Sequence, residues 1–211
     1  MFAEPPCENV SFDPAEYTPD RTATRITEIR NHLRDELLPG AETCSVFVAD
    51  FIRYLDAWAL HFQNQLSAPI EFLALVTRNL LEFALLLPVV FESAESRALF
   101  LNEAFRIDAN DLTERSSKMF AVVGATLPRP SIEELDWLPH STVRLVGKRD
   151  VFDAWVHKYC SKLMHPTAIM ILVPDALTNP EKRIILCFFG LRYLGLSYNF
   201  LSKVTFSGTE P

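Results

Sequence analysis

A chain of 211 residues, 49% apolar and 22% charged, is long enough for one domain around a full hydrophobic core and too apolar for disorder. Its formal charge of −7 disfavours nucleic acid as a partner, because non-specific affinity for phosphate backbones comes from clustered Lys and Arg. Cys7, Cys44, Cys160 and Cys187 are scattered without a CxxC or a short repeated spacing, which reads as free thiols in a reducing compartment.

Residues 1–23 hold five acidic residues and four prolines but, apart from the initiator Met, only three large apolar side chains, too few to nucleate a helix, and are expected to form an extended arm. The same stretch lacks the basic end and apolar run of a secretory signal, so a cytoplasmic location is expected. A single helical domain should follow over 24–204, with a short tail at 205–211. Its first helix starts near Thr24, where Ile26, Ile29, Leu33 and Leu37 recur every three or four residues and Pro39-Gly40 supplies the stop. The second runs from about Thr43 to Leu66, with Phe47, Phe51, Tyr54, Leu55, Trp58 and Phe62 as a wide stripe that predicts core packing.

The third helix, about Ala68 to Phe91, is apolar nearly all round and should be central, with Ser67 as N-cap and Pro88 kinking or ending it. A fourth fits Ser93 to Phe120, capped by Ser93, with Leu99, Leu101, Phe105 and Ile107 inward. Prolines break the periodicity over 124–148, leaving a long connection in which Ser131 to Glu134 is a capping box for a short helix. A fifth helix, about Asp150 to Met164, ends at His165-Pro166. The last opens with Asn179-Pro180-Glu181, a cap followed by proline at the first helical position, and continues to about Leu201. Any strands, at 141–147 or 167–173, would be ornaments. The expected fold is all-α: an antiparallel bundle of about six helices around two central apolar ones.

The third and last helices approach the roughly 20 apolar residues that span a bilayer. Arg78 and Glu82 interrupt one and Arg192 the other, each costly in lipid, so two buried helices of a soluble bundle are expected and no membrane insertion.

Arg78 and Glu82 lie four apart on the helix that should be most buried and therefore point the same way, which predicts either a structural ion pair or a polar functional site. Ser161 and His165 are likewise one turn apart and within hydrogen-bonding reach, although a helix-terminal histidine also caps the last carbonyls. These four residues form the candidate catalytic set. His157, Cys160 and His165 do not make a metal site, since offsets of three and five place His165 away from the other two. With only six glycines there is no phosphate-cradling loop, and no cofactor is expected.

The order of parts, a buried helix with Arg78-Asn-Leu-Leu-Glu82, a later helix ending Ser161-Lys-Leu-Met-His165-Pro, then a final apolar helix, resembles uncharacterised bacterial helical-bundle proteins of the HEPN group, over about 45–204. That resemblance implies an antiparallel, often dimeric bundle and, in active members, RNA cleavage by an Arg and a His on one helix with four to six residues between. Here Arg78 has no histidine after it, and seven residues separate both Arg53 from His61 and Arg149 from His157. A divergent site would need Arg78 and Glu82 to meet Ser161 and His165 from another helix. The leading expectation is a non-catalytic helical protein acting through a protein partner or as a homodimer; the alternatives are a divergent hydrolase of that kind and a sensor of a small anion.

Overall fold

The computed structural model describes residues 12–98, 100–101, 151–165 and 179–206, and their regular structure is entirely helical, with no strand among them. A 3-10 turn at Pro14–Tyr17 precedes α1 (Pro19–His32), a π-helical turn (Leu33–Leu37), α2 (Leu38–Cys44), α3 (Val46–Gln65), α4 (Ile70–Val90), α5 (Val151–Met164) and α6 (Pro180–Phe206). Residues 94–98 and 100–101 are helical as well. The all-α class stands. The rest of the fourth helix, the 124–148 connection and both candidate strands lie outside the described residues. Those described form two compact units, 12–87 with 151–165 and 179–206, and 88–98 with 100–101.

The N-terminal arm is helical sooner than its composition predicts. The Asp13 carboxylate accepts from the Ala15 N–H at 2.9 Å, and Pro14 and Pro19 stand at first helical positions, where a missing N–H forfeits nothing. Glu16 then pairs with both Arg21 and Arg25. A side-chain cap on the 3-10 turn and local charge pairs thus precede and flank the start of α1.

Pro39-Gly40 does not stop the chain either. The preceding turn widens to π geometry, in which the Leu38 N–H reaches the Leu33 carbonyl. That shift in register accommodates the prolyl ring, which an uninterrupted α-helix would press against an earlier carbonyl. Helix continues to Cys44, so Thr43 belongs to α2; α3 starts afresh behind Ser45, an extended residue whose hydroxyl accepts from the Val48 N–H.

Along α3, Val48, Ile52, Leu55, Ala59, Phe62 and Leu66 alternate steps of four and three, and all are buried. The expected aromatic stripe therefore divides: Phe51 and Phe62 are inside, whereas Phe47 and Trp58 are half-buried and Tyr54 is exposed. The reason is width, since residues 47 to 62 cover more of the helix circumference than one neighbour can bury.

The link from α3 to α4 is 66–69, and Phe83 meets both Phe51 and Tyr54, so the two helices run antiparallel. Pro69, not Ser67, begins α4: its carbonyl accepts from the N–H groups of Phe72 and Leu73. The helix passes Pro88 by two residues. In the second unit the Ser93 hydroxyl caps the next helical stretch, accepting from the Ser96 N–H at 3.0 Å.

Among the described elements, α6 meets α1, α2, α3, the 3-10 turn and the π-turn. Asn179 caps it through the Lys182 N–H at 3.0 Å, and it extends to Phe206, past the expected end near Leu201. Arg183 donates to the Leu66 and Ala68 carbonyls at 2.6 and 2.8 Å, closing the end of α3, where orphan acceptors collect. Thr77 of α4 donates to the Leu186 carbonyl, Phe62 packs on Gly190, and Tyr193 donates to Asp153 of α5 at 2.7 Å.

Candidate functional site

Helices α4 and α5 bring together two of the four residues singled out from sequence and add a third that was not. Arg78 Nε donates to Glu82 Oε1 at 2.8 Å, the pairing that their spacing of four predicts. His157 Nε2 lies 3.3 Å from the same oxygen. The three side chains are 29%, 25% and 15% exposed, respectively, so the cluster is lodged between helices with one side reaching water.

Ser161 and His165 take other roles. The Ser161 hydroxyl donates back to the His157 carbonyl at 2.8 Å, the habit of a helical serine with no better acceptor. His165 is exposed, and its backbone N–H closes the last turn on the Ser161 carbonyl at 3.3 Å. It lies eight positions after His157, about 12 Å along a helix rising ~1.5 Å per residue. The structure thus places His157, not His165, on the Arg78–Glu82 pair. The sequence held a signal for this: His157 stands one turn before Ser161 on the same face of α5, but an inward-facing histidine has no periodicity that separates it from a surface one.

Neighbouring groups are held neutral. Cys160 is fully buried, and desolvation pushes its thiol up to about 12 although the Arg78 guanidinium draws it down. Burial raises Tyr159 as well, and Tyr193 is raised by burial together with its bond to Asp153. None of these is a thiolate or phenolate nucleophile near neutral pH. Among the described residues no group of three or more His, Cys, Asp or Glu side chains is placed to hold a metal.

What remains chemically is a carboxylate shared between a guanidinium and an imidazole. It fixes the imidazole ring against α4 and neutralises an arginine on an apolar helix; among the described residues no activated nucleophile stands beside them.

A second polar place in the fold was not singled out from sequence. A cleft of about 460 Å³ is lined by Tyr17, Arg25 and Ile29 on one side and Phe188, Leu191 and Arg192 on the other, with Glu28 also on its wall. Arg192 drew notice in the sequence only as a charge opposing membrane insertion.

No family model matches this chain, and neither a curated protein nor a solved structure matches it.

Proposed function

We propose that this chain is a non-catalytic helical protein that works by binding, through self-association or a protein partner seated on the outward face of α4. One observation carries the reading. Phe72 and Leu75, 51% and 39% exposed, are neighbours on a helix whose most apolar 18-residue stretch is only 56% buried. Helix residues three apart share a face, and a contiguous apolar patch left to water marks a contact surface. The acidic overall charge fits a protein partner better than a nucleic acid, and the free thiols Cys44, Cys160 and Cys187 fit a cytoplasmic setting.

The test is sedimentation velocity over a wide concentration range on the wild type and on a Phe72→Asp, Leu75→Asp double variant. Association in the wild type that disappears in the variant, with the melting temperature retained, supports the reading. A wild type that stays in solution without detergent and remains monomeric removes self-association. A protein that leaves detergent only by aggregating would make α4 and α6, of 21 and 27 residues, membrane-facing elements instead.

A second reading rests on the contact between His157 and Glu82. In a divergent HEPN-like hydrolase His157 would be the general base, oriented by Glu82, with Arg78 neutralising developing negative charge. RNA cleavage by the purified chain that is lost in His157→Ala and in Arg78→Met, both still folded, would favour it over the binding protein.

A further inference from the structure

Arg192 sits mid-way along the apolar helix α6, and none of the described carboxylates meets it. Its Nε is buried without a hydrogen-bond partner, and its guanidinium carbon rests 5.1 Å from the centre of the Phe152 ring. A guanidinium presents five donors, and enclosing one without an acceptor is unfavourable unless something else supplies it. Arg192 is also a wall of the cleft described above, whose size falls within the ordinary range of small-molecule sites, roughly 300–1,000 Å³.

The other walls define what would fit. Tyr17 and Phe188 meet edge to face with centres 4.9 Å apart, and Phe12 packs on both, so the aromatic side is braced. Ile29 and Leu191 add aliphatic surface. Arg25, the second cation, lies over the Tyr17 ring and is partly neutralised by Glu16. Glu28 also faces the cleft, and no described cation pairs with it.

We propose that this cleft is a binding site for a small aromatic carboxylate, its charged end taken by Arg192 with help from Arg25 and its ring laid against Phe188 and Leu191. The charge balance selects a monoanion: a doubly charged phosphate would be opposed by Glu16 and Glu28, while one carboxylate matches a guanidinium that no described carboxylate meets. An aromatic amino acid belongs to the same class, its ammonium directed to Glu28.

The experiment is a titration of the full chain, followed by backbone amide shifts and calorimetry, with phenylacetate, phenylalanine, phenyl phosphate, benzylamine and acetate. Arg192→Met keeps the aliphatic stem and removes the buried donor, so its melting temperature should be unchanged or higher; Arg25→Gln is the second variant. Saturable binding of phenylacetate or phenylalanine, with shifts centred on Phe188, Leu191 and Ile29 and affinity lowered about tenfold or more in Arg192→Met, is the expected result. If Arg192→Met does not fold, the same loss in Arg25→Gln decides. The proposal is overturned if neither acid saturates, if binding survives both substitutions, if benzylamine or acetate binds as well, or if phenyl phosphate binds more tightly than the carboxylates.

Discussion

The tip of the Phe62 ring occupies the space where a side chain on Gly190 would begin: a β-carbon built there would collide with Phe62 Cζ. Phe62 is fully buried, and this contact lets α3 and α6 approach closely enough for an aromatic ring to lie on bare backbone. The glycine is thus a packing requirement in the middle of a helix, where its flexibility would otherwise count against it.

Gly190→Ala should destabilise the fold by about 1–3 kcal/mol, because a buried ring cannot withdraw as a flexible side chain would. Gly195, five residues on, has nothing within 4 Å of the same hypothetical atom. There alanine should stabilise by about 0.5–1 kcal/mol through helix propensity alone. Urea unfolding of both variants checks the pair, and equal effects of one sign would contradict this packing.

Asp56 of α3 holds the first segment in place from the side. Arg30 Nε donates to its Oδ1 at 2.8 Å, and Arg34 donates twice to its Oδ2, at 2.9 and 2.7 Å. Arg30 and Asp56 are 12% and 19% exposed, Arg34 50%. Asp56→Ala should lower stability by about 2–3 kcal/mol, less than for a fully enclosed pair because Arg34 can turn to water. Hydrogen exchange should show the loss concentrated in α1 and the π-turn; uniform loss would mean that Asp56 does not tie the two segments together.

Glu82 separates structural from functional readings of the α4–α5 cluster. Removing its carboxylate leaves Arg78 on an apolar helix without that acceptor and releases His157. Glu82→Ala should therefore cost about 1–3 kcal/mol, whereas Ser161→Ala and His165→Ala should be near neutral, since one hydroxyl serves only its own helix and the other side chain is exposed. Chemical denaturation of the three variants tests this ranking, which would fail if His165→Ala were the most damaging.

Alkaline pH should unfold the protein through its buried acids. The Cys187 thiol is moved from 9.0 to about 11, chiefly by desolvation, and Cys160 from 9.0 to about 12. The folded state then holds protons that the unfolded chain releases, so this stabilisation is complete below pH 9 and is lost as pH rises through 11 and 12. The melting temperature should fall over that window, with a smaller fall in Cys187→Ala. In a Cys7→Ser background at pH 8, a thiol reagent should modify exposed Cys44 in the native protein and reach Cys160 and Cys187 only on unfolding.

Much of this architecture was legible in the residues. Steps of three and four mark α1 and α3, Asn179-Pro180 and Ser93 mark helix starts, and the i,i+4 spacing of Arg78 and Glu82 predicts their bond, because each of these depends on neighbours within one or two turns. The sequence read alone misplaced what depends on distant partners. It expected a stop at Pro39, where a change of helical register absorbs the ring. It grouped His165, not His157, with Arg78 and Glu82, because the register between α4 and α5 follows from packing between residues 75 positions apart. Arg192 and Arg25 gave no sign of sharing a cleft, since only the parallel course of α6 beside α1 places residues 167 positions apart on its two sides. Local pattern determined the helices; their faces, and hence the polar groups that meet, were decided by how those helices pack.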